Sequence, residues 1–247
     1  MLTINNFDSD ATTVGEIVAQ DIRTAEIFKR LGIDFCCNGK RTLAEASQRA
    51  GVPVQEVIEK LGHLPTGKRL PSEQFDRWSP VFLADYIVNV HHGYLYENLP
   101  FIEQLAYKVA SKHGERFPEV LLIWDTYEAL KAELIPHLEK EERVVFPFIR
   151  QLVQAERVNT SIPVTQIGSL QMPIHVMEAE HDAAGTLLFK LRELTSDYTP
   201  PINACNTHRL LYAKLEELET DLMQHIHLEN NLLFPKALTL EQELALN

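Results

Sequence analysis

Apolar residues recur at helical spacing along almost the whole chain. Val14, Ile17, Val18, Ile22, Ile27 and Leu31 form one stripe behind Thr12 or Thr13 as a cap, and Gly32 suits its C-terminal end. A turn, "DFCCNGKR", follows from Asp34. Thr42 and Glu45 then have capping-box spacing ahead of a second short helix that stops near Gly51, and a third runs from Pro53 to Leu61. Residues 62–80 are rich in proline and glycine and show no clear period, which reads as a linker. Beyond it the stripes lengthen. Ser79 and Pro80 open a helix to about Lys112 with a kink expected at Pro100, and Pro118 opens a second to about Ala155 containing Pro136 and Pro147. After the loop "RVNTSIPVTQIGS" come a third, Pro173 to Leu194, and a fourth, Asn203 to Leu238. The expected fold is all-α: a small helical domain at 1–62, a linker at 63–79, and an antiparallel four-helix bundle at 80–247.

Two of these helices carry the same signature. "HLEKEERVVFPF" begins at His137 and "HIHLENNLLFPK" at His225, each with a Glu four residues on and a Phe-Pro five residues after that. Residues four apart on a helix are separated by about 6 Å along the axis and about 40° around it, so His137 with Glu141, and His225 with Glu229, can each reach one ion. One turn earlier stand Glu133 and Asp221, placed to accept a hydrogen bond from a ligand imidazole or to line a polar route. His92 precedes His137 by 45 residues and His181 precedes His225 by 44, so the chain looks like two copies of a helix-pair unit. A lone HxxxE is ordinarily an exposed ion pair. A paired set of four imidazoles and two carboxylates inside a bundle suits two borderline metals a few Å apart, iron foremost, then manganese or zinc. His91 points about 100° away from His92, and spacing alone does not choose between them. His175 and His227 read as surface or supporting residues, and Phe146, Phe234 and Leu130 as packing around the site.

Composition narrows the partners. With 35 acidic against 23 basic residues the formal charge is −12, which disfavours nucleic acid and anionic lipid. No apolar run has the length of a membrane span, and "MLTINNFDSD" lacks the basic and apolar regions of a signal peptide, so a cytoplasmic protein is expected. Three cysteines, two of them adjacent, are no disulfide framework. A bond between Cys36 and Cys37 would close a strained ring, so both read as free thiols, with Cys205 inert. "TLAEASQRAGVPVQEVIEKL" superficially reads as helix-turn-helix, but Glu56 and Glu59 with only Lys60 make a poor recognition helix.

"HH" followed by "ENLP", "HLEKEE" with "FP", "EAEHDAAG" and "HIHLENNLLFPKAL" stand in the order found in the repair-of-iron-centres proteins, and "IDFCCNGKRTLAEA" is similar to their N-terminal domain. The chain resembles that family over nearly its whole length. The resemblance implies a hemerythrin-like bundle holding two non-haem irons on His92, His137, Glu141, His181, His225 and Glu229. It favours His92 over His91. Glu141 and Glu229 would bridge the irons together with an oxo or hydroxo group; His92 and His137 would complete one iron, His181 and His225 the other. Glu133 and Glu180 would line a polar path, and Cys36 and Cys37 would have a role in thiol redox chemistry, nitrosation or passing iron onward. The implied function is restoring iron–sulfur clusters damaged by oxidative or nitrosative stress, by iron donation or nitric oxide chemistry, with nitric oxide reduction as a candidate activity. Damaged iron–sulfur proteins would be the clients and nitric oxide or oxygen the small-molecule partners; no nucleic acid or membrane partner is expected, and a homodimer stays open. The alternatives are a di-iron gas sensor or binding module and, behind it, a metal-responsive helix-turn-helix regulator.

Overall fold

The computed structural model describes residues 8–64, 70–161 and 168–246. Residues 1–7, part of the linker at 65–69 and part of the long loop at 162–167, all read above from sequence, lie outside them. Among the described residues no helix is long and apolar enough to cross a membrane.

The first stripe forms two helices where the sequence predicts one: α1, Val14–Gln20, and α2, Thr24–Arg30. Asp21 makes the break. Its backbone is extended, its carboxylate accepts the Arg23 backbone N–H at 3.1 Å, and its carbonyl accepts the Thr24 hydroxyl at 2.7 Å. A short acidic side chain that bonds its own backbone competes with the helical ladder, and here it wins. Thr13 and Glu16 form a capping box on α1; Thr42 and Glu45 form another on α3, Leu43–Ala50, and α4, Val54–Gly62, follows Pro53. The two caps lie side by side, Leu43 N–H donating to the Thr12 carbonyl at 2.9 Å and Val14 N–H to the Arg41 carbonyl at 3.0 Å. Val14, Ile17, Phe28, Leu43, Val57 and Leu61 are buried beneath them.

The long rods are α5, Pro80–Tyr86, leading into α6, Gly93–His113; α7, Glu119–Lys140, into α8, Phe146–Val158; α9, Gln171–Leu194; and α10, Asn206–Leu228, into α11, Phe234–Ala245. The three pairs are joined by wider π-helical turns at Ile87–His92, Glu141–Val145 and Glu229–Leu233. These turns account for the repeated Phe-Pro. A proline inside a helix has no N–H for the carbonyl four residues back and crowds it; a π turn just before Pro147 and Pro235 releases that carbonyl from the regular ladder.

One compact unit comprises Met1–Leu83, Leu152–Pro163 and Gln224–Asn247; the other comprises Ala84–Gln151 and Val164–Met223. The first therefore joins the N-terminal module to the end of the chain. The second is the antiparallel four-helix bundle of α6, α7, α9 and α10. Leu99, Ile123, Tyr127, Leu130, Leu138 and Leu218 are fully buried in its core. Tyr127, with no exposed surface, can lie there because its hydroxyl donates to the Leu99 carbonyl at 2.5 Å, just ahead of Pro100.

Candidate metal centre

In the bundle unit the centre is built around Glu141, the first residue of a π turn and wholly buried. Its Oε2 lies 3.3 Å from His92 Nε2 and its Oε1 lies 3.4 Å from His137 Nε2, so each oxygen faces a different imidazole. His181 Nε2 stands 3.1 Å from His137 Nε2. The outer nitrogens of two of these rings meet carboxylates: His92 Nδ1 is 2.8 Å from Glu142 Oε1, and His137 Nδ1 is 2.8 Å from Glu180 Oε2. That arrangement places the proton on Nδ1 and leaves Nε2 as a lone-pair donor directed inward. His137, Glu141 and His181 offer ligand atoms within 4.8 Å of one another. In the other unit, His225 Nε2 lies 3.1 Å from Glu229 Oε1, both residues buried, with Glu229 opening the third π turn.

This donor set fits a cation. Two imidazole nitrogens 3.1 Å apart, and nitrogen–oxygen separations of 3.1–3.4 Å, are the spacings of ligands that share an ion about 2.1 Å away. Placing a carboxylate in a wholly buried site is costly unless positive charge compensates it, which a metal provides.

The remaining residues sort clearly. His91 is buried as well, and its Nδ1 pairs with Asp221 at 2.9 Å, so Asp221 serves His91. Glu133 lies exposed on α7, and the carboxylate that holds His137 comes from Glu180 on α9. Burial pushes the Glu180 carboxyl up, yet hydrogen bonds from Lys140 and His137 outweigh that and hold it below the ordinary carboxylate value. Phe146 lies nearly parallel to the His92 ring at 5.8 Å. His175 is exposed, as expected. His227 is not: it is 1% exposed, its ring meets Phe35 edge-on at 5.8 Å, and burial pushes its pKa down to about 3. Glu142, Asn230 and Asn231 were not singled out from sequence, although each lies within two residues of a candidate ligand.

The cysteine turn is organised by Asp34. Its Oδ1 accepts the backbone N–H of Cys36 at 3.1 Å and of Cys37 at 3.0 Å, together with the Cys36 thiol at 3.3 Å. The two sulfurs are 3.6 Å apart and unbonded, Cys36 buried and Cys37 half-buried. The hydrogen bond with Cys37, burial and the charge of Asp34 push the Cys36 thiol well up, so it is held protonated. Cys205, read above as inert, is exposed and lies 3.3 Å from His113 Nε2.

A helical bundle with buried imidazoles around a buried carboxylate at HxxxE spacing defines a cation-binding protein of the hemerythrin type, and residues 83–237 match the hemerythrin HHE cation-binding domain. The chain belongs to that family. Residues 10–65 match an N-terminal domain of unknown function, DUF542. The chain is similar to the iron-sulfur cluster repair protein YtfE of Yersinia pestis (strain Pestoides F), with 36% identity over 226 residues, 92% of this chain and 96% of the relative. It is 35% identical, over the same shares, to the protein of that name from Yersinia pseudotuberculosis serotype O:1b.

Proposed function

We propose that this protein holds two non-haem irons on His92, His137, Glu141, His181, His225 and Glu229, and uses them in the repair of damaged iron–sulfur clusters. The observation that carries the reading is Glu141, one of whose oxygens faces His92 while the other faces His137, which stands beside His181, as a carboxylate shared between metals requires. His137 therefore pairs with His181 and not, as the resemblance implied, with His92. The second HxxxE pair, His225 with Glu229, repeats the same contact. The relatives' name favours repair over a gas sensor or a helix-turn-helix regulator.

Bound iron would supply both a labile ferrous pool and a redox couple for nitric oxide or oxygen. The chain's own part is to keep that iron available. Neutral imidazoles and carboxylates hold ferrous iron less tightly than clustered thiolates hold soft metals, which suits donation to a client. Glu142 and Glu180 fix the tautomers of His92 and His137 and, being about one-third exposed at 32% and 31%, connect those rings to solvent protons. Phe146 covers the His92 ring and limits the access of water.

Within the same reading, residues 1–62 and 80–247 act as two domains joined by 63–79, and the Cys36–Cys37 thiols take part in passing iron or electrons to a client. Three free cysteines suit a reducing cytoplasm. Elemental analysis tests the core of the proposal: about two irons per chain are expected in wild type, with loss in His137→Ala and Glu229→Ala. Iron unchanged in both variants would refute it. Cluster restoration on a damaged iron–sulfur protein, with Cys36→Ala/Cys37→Ala alongside, then tests repair and the thiol role separately.

A further inference from the structure

Three residues flanking Glu229, one before it and two after, are engaged by the N-terminal module. Asn230 Nδ2 donates to the Cys36 carbonyl at 3.2 Å. Asn231 Nδ2 donates to the Phe35 carbonyl at 3.2 Å and the Cys36 carbonyl at 3.4 Å, and lies 3.1 Å from His227 Nδ1. His227 in turn packs against the Phe35 ring. The Asn231 side chain occupies a slot that exists only because two residues lack a side chain: a Cβ on Gly15 would lie 2.4 Å from Asn231 Oδ1, and one on Gly39 would lie 2.3 Å from it. Gly15 N–H donates to the Gly39 carbonyl at 2.9 Å, closing the slot behind the amide. The contacts fall on the π turn that begins at Glu229, where the helix ladder is already altered.

We infer that Asn231, assisted by Asn230, is a positioning residue that locks the Cys36–Cys37 turn to the carboxylate of Glu229, so that metal binding and thiol accessibility are coupled. The inference rests on Glu229 being a metal ligand. The physical route is short. Restraining Glu229 restrains the π turn, the turn holds the Asn amides, and the amides hold the carbonyls of residues 35 and 36. Cys36 is 3% exposed, so a reagent reaches it only when this turn opens locally, and a ligand that binds the closed form suppresses the opening. Linkage makes the effect reciprocal: loosening the cysteine turn must weaken metal binding by the same factor.

The test is anaerobic iodoacetamide labelling of the full chain, with and without stoichiometric ferrous iron, read at each cysteine by mass spectrometry, with exposed Cys205 as the internal reference. In wild type, iron should slow labelling of Cys36 and Cys37 by about fivefold or more relative to Cys205. Asn231→Ala, with helical content retained, should abolish that dependence and weaken iron binding to a comparable degree. Asn230→Ala, which loses one hydrogen bond, should show a smaller change in the same direction and replaces the first variant if Asn231→Ala does not fold. Glu229→Ala should show no iron-dependent protection. Protection that persists in Glu229→Ala would mean that iron sits on the thiols themselves, and would overturn the inference. So would wild type that takes up iron with labelling unchanged, or an Asn231→Ala protein that keeps the wild-type dependence. Wild type that takes up no iron would instead refute the assignment of Glu229 as a ligand, and the inference would fall with it.

Discussion

The two HxxxE copies obey one spacing rule and sit in different surroundings. Around His137 and Glu141 the supporting groups are carboxylates that reach the surface, Glu142 and Glu180, with Lys140 beside the latter. Around His225 and Glu229 they are buried and neutral: His227, Asn230 and Asn231, bonded to backbone carbonyls of the cysteine turn. The difference teaches that a four-residue interval fixes which atoms can meet an ion, while packing determines what those atoms are connected to. One copy is open to solvent protons, and the other is fastened to a second structural module.

The comparison breaks most completely if one carboxylate proves dispensable. If both carboxylates are shared as proposed, Glu141→Ala and Glu229→Ala should each reduce bound iron from about two per chain to near zero. Elemental analysis showing one retained iron in either variant would mean that the copies bind independently. Next in size is Gly39→Ala, which forces a methyl against Asn231 Oδ1 and, at 2.8 Å, the Phe35 carbonyl. It should destabilise the protein by about 1–3 kcal/mol in urea unfolding, an overpacking cost confined to the second copy's surroundings. Glu180→Gln addresses the first copy alone. It should weaken iron binding about tenfold, measured by competition with a chelator, and change stability by no more than about 0.5 kcal/mol, since Glu180 is 31% exposed.

The smallest effect lies away from both copies, at His208, which is wholly buried against Phe117 and Tyr212 with neither ring nitrogen hydrogen-bonded among the described residues. Burial and the neighbouring His113 hold its pKa below the ordinary value. The unfolded chain then binds this proton more readily, so the penalty is absent above about pH 6.5 and grows as pH falls below it. His208→Leu should leave stability at pH 8 equal or slightly higher and flatten the loss of melting temperature between pH 7 and pH 5. An unchanged acid slope would assign that loss to other groups.

Much of this was readable from local pattern. Thr13 with Glu16 and Thr42 with Glu45 cap helices as their spacing requires, because a capping box is closed by residues three apart and needs nothing else. The break at Asp21 escaped the pattern because the apolar stripe continues across it, while the competing hydrogen bonds come from one side chain. The π turns escaped because an i, i+4 rule carries no mark of an inserted residue; the only trace was the proline that follows two of them. That His227 is a buried supporting group and not a surface residue escaped the pattern because its burial depends on Phe35, nearly two hundred positions earlier in the chain.

By itself the sequence determined the helical class and the interval that sets a His and a Glu on one helix face, since those follow from 3.6 residues per turn. Only the tertiary structure decided that Glu180 and Glu142, and not Glu133, orient the imidazoles of the first copy, that Asp221 serves His91, and that Asn231 fits between Gly15 and Gly39. The reason is physical. These contacts join atoms on different helices, where position depends on how side chains fill space between elements, and no periodicity along one element records what a distant one places against it.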